Sequence, residues 1–344
     1  MRGEDLTRPL GQEKTRRWPS SFLLVPIISC ILLAGVVGNR FYPLEKLLFQ
    51  NEGPLNEKDP SAASKPGLGP RDSASLQRQL GTGTGVYEPI SNLIEMSEHG
   101  PIPKISSDGV RALDAYARRP EGITLTGPRI ALIVSGLGLS SEMSARALRA
   151  LPQDVSLGLS TLAVNGSSWM KQARVKGHEV LLQLPKGTSA GDGRRAFNVS
   201  SSVAERQEFL TWTLSRTSNY IGLINSSGED TFVDDEVMKP VLTELQKRGL
   251  MFMDDGSSAS TSSRLIAQET QTAFVGANLV LDQELKIEAI KSQLQELEKI
   301  SRTEGLAIGS ASAYPLTLQV LENWVKTLSE RGITLIPVSA AING

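Results

Sequence analysis

Arg129 to Ser160 reads RIALIVSGLGLSSEMSARALRALPQDVSLGLS. It opens on a β-rich apolar run, Arg129–Val134, crosses an amphipathic helical segment, Ser141–Ala150, and returns to a second apolar run, Val155–Ser160. The same unit recurs to the C-terminus. Further strands are expected at Glu179–Leu184, Ile221–Asn225, Leu250–Asp254, Ala273–Gly276, Leu306–Gly309 and Thr334–Val338. Helices are expected at Ser168–Lys176, Val203–Arg216, Glu236–Arg248, Glu284–Arg302 and Leu316–Glu330. Gly177, Gly249 and Gly332 each stand just past a helical segment, where a left-handed residue ends a helix. Strands this continuously apolar are covered on both faces, which means a parallel sheet. The repeat therefore predicts an α/β fold, an irregular (β/α)7–8 barrel in preference to a doubly wound sheet. In such a barrel the chemistry sits at the C-terminal strand ends. Those ends are Ser135, Ser160-Thr161, Gln183, Asn225-Ser226, Asp254-Asp255, Asn278 and Ser310: a polar rim with one strongly acidic spot.

Upstream of the barrel the pattern is different. Trp18 to Asn39 carries no charged residue, and Phe22–Val37 is apolar apart from Ser29. About 20 such residues cross a hydrocarbon core of ~30 Å. Residues 1–17 end in the basic cluster Lys14, Arg16 and Arg17, which predicts a cytoplasmic tail, a transmembrane helix over 18–39 with residues 20–38 in the membrane, and the rest of the chain across it. That expectation is a single-pass protein of a bacterial inner membrane with a periplasmic C-terminal domain. A cleaved signal peptide ending near Val36-Val-Gly38 is the competing reading, but the long polar start and long apolar run favour a retained anchor. Residues 40–128 read as a low-complexity linker, rich in Gly and Pro between Gly53 and Pro70, with short helices expected near Pro89–Met96 and Gly109–Tyr116. Residues 129–344 form the folded domain.

Composition narrows the chemistry. The 344 residues carry 36 Lys and Arg against 37 Asp and Glu, a net charge of −1, so no overall basic field attracts nucleic acid. Cys30 is the sole cysteine, which excludes a disulfide framework and any cysteine-rich metal site. Histidine is also scarce: His99 lies in the turn sequence Ser-Glu-His-Gly-Pro, and His178 stands at the N-terminal end of a strand, the wrong end of a barrel for catalysis.

Several segments, in order, carry a resemblance. They are Ile133-Val-Ser-Gly-Leu-Gly138, Gly177-His-Glu-Val-Leu-Leu-Gln-Leu-Pro185, Gly222-Leu-Ile-Asn-Ser-Ser-Gly228, Met238 to Asp254, and Gly305-Leu-Ala-Ile-Gly309 followed by Tyr314-Pro315. Over about 129–340 the chain resembles the divergent polysaccharide deacetylase family, bacterial envelope proteins with an irregular barrel. The resemblance implies a hydrolase of acetyl groups on an envelope glycan. A divalent metal such as Zn²⁺, held by one Asp and two His, would activate water there, with a second Asp as base. Here Ser135 and Gly136 stand at the family's Asp pair, Asn225-Ser226 at its Asn-His, and Gly309-Ser310 at the start of its late histidine motif. A hydroxyl or a bare glycine does not replace imidazole or carboxylate as a metal ligand. Asp254, matching a family Asp, and its neighbour Asp255 remain as catalytic candidates.

Two functional readings stay open, so whether the chain is an enzyme is left undecided. In the first, the protein has no cofactor and binds an envelope glycan or a periplasmic protein at the strand-end cleft. Ser135, Asn225, Ser226, Ser310 and Tyr314 would be its binding residues and Trp169 an aromatic candidate. In the second, it is a deacetylase with relocated ligands, an oxygen-donor set from Asp254, Asp255 and Glu229 or Asp230 that suits Mg²⁺ or Ca²⁺ better than Zn²⁺. A serine hydrolase built on Ser135 lacks both the preceding elbow glycine, since Ile133 stands there, and a histidine base near a strand end.

Overall fold

The computed structural model describes residues 88–119, 126–184, 201–225, 235–257 and 262–342. The apolar run over 18–39, most of the segment read as linker, Ser226, and Glu229 and Asp230 lie outside the described residues. Among the described residues no helix is long and apolar enough to cross a membrane.

The chain enters through a hairpin, β1 (Ile94–Ser97) and β2 (Gly100–Pro103), followed by the short helix α1 (Ala112–Tyr116). The barrel units follow: β3 (Arg129–Leu137), α2 (Ser141–Ala150), β4 (Ser156–Ser160), α3 (Gly166–Val175), β5 (Val180–Gln183), α4 (Val203–Leu214), β6 (Gly222–Ile224) and α5 (Asp235–Lys247). Then come β7 (Met251–Asp254), α6 (Ser262–Thr270), β8 (Phe274–Gly276), β9 (Leu279–Val280), α7 (Ile287–Glu304), β10 (Leu306–Ser312), α8 (Pro315–Val325) and β11 (Thr334–Ile336).

Local chemistry sets these boundaries. Ser140 caps α2 by accepting from the Met143 N–H at 3.3 Å, Ser202 and Glu205 form a reciprocal capping box at the start of α4, and Pro315 opens α8. Gly305, at φ 81°, closes α7 in the left-handed conformation.

Every pairing in the main sheet is parallel, in the order β8-β7-β6-β5-β4-β3-β10-β9. The strand β3 is long enough to serve two neighbours on one side: its start pairs β11 and its end pairs β4. The two edge strands, β8 and β9, are separated in the chain only by Ala277 and Asn278. Ala277 donates its N–H to the Asp254 carbonyl at 2.9 Å, on the β7 side. Asn278 then bonds Ile308 of β10 twice, its N–H to the carbonyl and its Oδ1 from the N–H. One kinked segment thus passes from one edge of the sheet to the other, and the sheet curls into an irregular barrel. Its interior is filled by residues such as Ala131, Ile133, Leu181, Ile224, Met251 and Met253, which share the face of the cleft-lining Ser135 and Gln183 and are all fully buried.

The lower end of the barrel holds a difference from the sequence reading. Within the stretch read as linker, residues 88–119 pack on the domain: Leu93, Ile102, Leu113 and Tyr116 join the core. Where a helix was expected at Pro89–Met96, the chain makes a 3-10 turn and β1. Prolines at 101 and 103 mask the strand pattern, yet β2 tolerates them because β1 is its sole neighbour in that sheet. The Tyr116 hydroxyl accepts from the Ile90 N–H at 2.8 Å, and Gly249 O accepts from the Leu113 N–H at 3.1 Å.

His178 belongs to this end too, as its sequence position implied. It is 1% exposed, with Nδ1 2.8 Å from the Val155 carbonyl. Burial pushes the imidazole below its ordinary range, and the Val155 carbonyl opposes that only in part. An unfolded chain, at about 6.5, takes up a proton that the folded one refuses. The stabilisation is therefore complete above that value and is lost as pH falls below it. Thermal melts between pH 7.5 and 5 are expected to show this slope in the wild type and a flatter one in His178→Gln; parallel slopes would mean that the ring is not buried neutral.

Candidate functional site

The strand ends converge on a cleft of about 340 Å³. From β3 and its exit come Ser135, Gly136 and Leu139, and from β4 come Ser160 and Leu162. Gln183 and Asn225 enter from β5 and the end of β6, and Asp255 from the end of β7. The opposite wall is Val280 and Asp282 after β9, with Ser310, Ser312 and Tyr314 from β10 and its exit.

Several of the polar groups are held by specific bonds. Gln183 Oε1 accepts from the Gly136 N–H at 2.7 Å, which fixes the turn leaving β3. Asn225 is 4% exposed; its Oδ1 accepts from the Asp255 N–H at 2.7 Å and its Nδ2 reaches Asp254 Oδ1 at 3.3 Å. Asp254 Oδ1 also accepts from the Gly256 N–H at 3.0 Å. Asp255 Oδ1 accepts from both the N–H and the hydroxyl of Ser257, at 3.0 and 2.5 Å. The Ser310 hydroxyl donates to the Asp255 carbonyl at 2.5 Å, tying β7 to β10 across the cleft floor.

Two carboxyls in the cleft are displaced from their ordinary range in the same direction. Burial raises Asp255, and the adjacent Asp254 charge adds to that, while the Ser257 bonds oppose it. Burial also raises Asp282, against hydrogen bonds from the Ser312 N–H at 2.8 Å and the Thr317 hydroxyl at 2.9 Å.

Of the residues singled out from the sequence, the structure brings Ser135, Asn225, Asp255, Ser310 and Tyr314 into one cleft. Asp254 stands behind it, bonded to Asn225 and Gly256, and Ser226 lies outside the described residues. Trp169 is partly buried against the core and is not among the lining residues, and Asn278 is engaged in closing the sheet. Asp282 escaped the sequence reading. The available signal was Asn278-Leu-Val-Leu-Asp282, a short apolar run ending in a carboxylate, continuous with the Ala273–Gly276 strand candidate.

The mouth of the cleft is apolar. Ten large hydrophobic side chains are exposed among the described residues. All but Met96 and Val175 lie in loops or first helical turns that follow strand C-termini: Leu139, Leu162, Val164, Val203, Leu265, Leu285, Ile287 and Tyr314. Three of them, Leu139, Leu162 and Tyr314, line the cleft itself.

A curled parallel α/β barrel with a polar cleft at its strand ends has the architecture in which active sites are built at the C-terminal strand ends. The profile of the divergent polysaccharide deacetylase family matches residues 132–342, and the chain belongs to that family. An uncharacterized protein of Haemophilus influenzae is 21% identical over 206 residues, covering 59% of this chain and 72% of its own. The crystal structure of an uncharacterized protein from Agrobacterium tumefaciens C58 superposes with a TM-score of 0.66 at 34% identity, covering 70% of this chain and 98% of that one.

The family resemblance implies a divalent metal, and the described cleft does not fit one in the implied manner. At the corresponding positions Ser135 offers a neutral hydroxyl, Gly136 no side chain, and Ser310 a hydroxyl already donated to a backbone carbonyl. Among the described residues no group of three or more His, Cys, Asp or Glu is placed to hold a metal ion. Neutral hydroxyls are poor substitutes for the imidazole and carboxylate donors that first-row metals need.

Proposed function

We propose that the protein is a non-catalytic, glycan-binding member of its family, anchored in the bacterial inner membrane by residues 18–39 with the barrel on the periplasmic side. The observation that carries this reading is the state of Ser310. It stands where the resemblance places a metal histidine, and it spends its hydroxyl on cross-linking β7 to β10. A position committed to holding the cleft together is not one that turns over substrate. The remaining lining suits a sugar: Ser135, Gln183 and Ser312 supply hydrogen-bonding groups, and Tyr314, 47% exposed, supplies a flat apolar face at the mouth.

The test uses the purified full-length protein, exposed in turn to Zn²⁺, Mg²⁺, Ca²⁺ and Mn²⁺. Metal content is measured by mass spectrometry, together with acetate release from chitooligosaccharides and acetylated peptidoglycan fragments. The expected result is no stoichiometric metal and no acetate, with a saturable rise in melting temperature on addition of a glycan fragment. Stoichiometric metal with acetate release, lost in Asp254→Ala, would establish the active deacetylase with relocated carboxylates instead.

A further inference from the structure

The cleft holds two acidic side chains and, among its described lining residues, no Lys, Arg or His. Both carboxylates are deeply placed, Asp255 at 6% and Asp282 at 7% exposure. Asp282 Oδ2 takes the Ser312 N–H and the Thr317 hydroxyl and the carboxylate also meets its own backbone N–H, but among the described residues no cation answers it where it lines the cavity. Ser257 occupies one oxygen of Asp255. Buried carboxylates are costly unless a cation or several donors answer them, and here the described lining supplies donors and no cation.

We infer that the cleft selects glycans carrying a free amine, deacetylated amino sugars, over their N-acetylated counterparts. This rests on the glycan-binding reading and names the class of sugar. An ammonium donates up to three hydrogen bonds and carries the charge that the cleft lacks, whereas an acetamide is neutral and bulkier. Tyr314, Leu139 and Leu162 at the mouth receive the apolar face of the pyranose ring while the amine reaches the floor. The resulting protein reads the product of acetyl removal and leaves the acetylated polymer alone.

Calorimetric titration of the full-length protein with glucosamine tetramer and with N-acetylglucosamine tetramer tests this directly. The free-amine tetramer is expected to bind about tenfold tighter, the ratio that one buried charge-assisted hydrogen bond supplies. Asp282→Asn keeps an oxygen for Ser312 and Thr317, so the variant is expected to melt normally while its preference for the amine collapses toward unity. A second readout needs no variant: the wild-type preference is expected to shrink as pH is raised until the sugar amine is neutral, because the amine then loses the charge that the carboxylates answer. Equal or tighter binding of the acetylated tetramer, or a preference unchanged when the amine is neutral, would overturn the inference and leave glycan binding intact. Binding of neither sugar would overturn both.

Discussion

Replacing Glu179 by alanine is expected to destabilise the barrel by about 3–5 kcal/mol, the range measured when one partner of a buried charged network is removed. Glu179 is fully buried at the start of β5, at the end of the barrel opposite the cleft. Its Oε1 accepts from the Ser156 hydroxyl at 2.6 Å and the Ser339 N–H at 3.0 Å. Its Oε2 accepts from the Ser339 hydroxyl at 2.6 Å and the Arg118 N–H at 3.2 Å. One carboxylate thus joins the segment after α1, the first residue of β4 and the C-terminal 3-10 turn Val338–Ala341. Alanine leaves four donors without their acceptor. It also strips the opposing charge from Arg174, whose guanidinium is 7% exposed and donates to the carbonyls of Tyr116 and His178. For a domain of this size that loss lowers the melting temperature by on the order of 10 °C. Glu179→Gln keeps one acceptor oxygen and is expected to fall between the two. Calorimetric melts of the three proteins check the order. A loss under about 1 kcal/mol for alanine would mean that water already satisfies those donors.

The same carboxylate shows which parts of this molecule could be read from the chain. All eight strand candidates between Arg129 and Val338 form, because a parallel strand buried on both faces announces itself as a continuous apolar run. The strand β3 runs on to Leu137, three residues past the expected end, since pairing with β10 persists to Ser135 opposite Ser312 and pairing with β4 carries it further. That extension is tertiary and leaves no local mark. β9 is two residues long and exists only through Gly309 and Ser310 of β10. Strand-end residues such as Ser135, Asn225 and Ser310 were legible because the barrel rule assigns the site by position. Asp282 was not, since its partners Ser312 and Thr317 lie 30 and 35 residues further on and the short apolar run before it merges with the Ala273–Gly276 strand candidate. Glu179 and its four donors are scattered over 61 to 160 positions of separation where they are not adjacent strands, beyond the reach of any periodicity. The core is local in sequence; the polar connections that orient the site and seal the far end are not.

Gly138→Ala is expected to cost about 2–5 kcal/mol, combining left-handed backbone strain with overpacking. Gly138 has φ 88° in the turn that carries β3 past the cleft, and its N–H donates to the Ser144 hydroxyl at 2.8 Å. A methyl there would come within 2.3 Å of the Ala163 Cβ and 3.3 Å of Leu159 Cδ1. Ala163 belongs to the turn between β4 and α3, which also carries the mouth residue Leu162, so relief of the clash moves two walls of the cleft apart. Gly305→Ala separates the two terms. That glycine has φ 81° with nothing within 4 Å of the added carbon, so it incurs the strain alone, about 1–2 kcal/mol. Ala163→Gly removes the colliding atom. In the double variant Gly138→Ala/Ala163→Gly the overpacking disappears while the strain remains, and a favourable coupling of about 1–3 kcal/mol is expected from the four-protein cycle. Additive losses would show that the two turns do not press on each other. The same cycle followed by glucosamine-tetramer titration then measures whether the spacing of those turns sets the cleft: affinity lost in Gly138→Ala and regained in the double variant makes the Gly138–Ala163 contact a positioning element for the site.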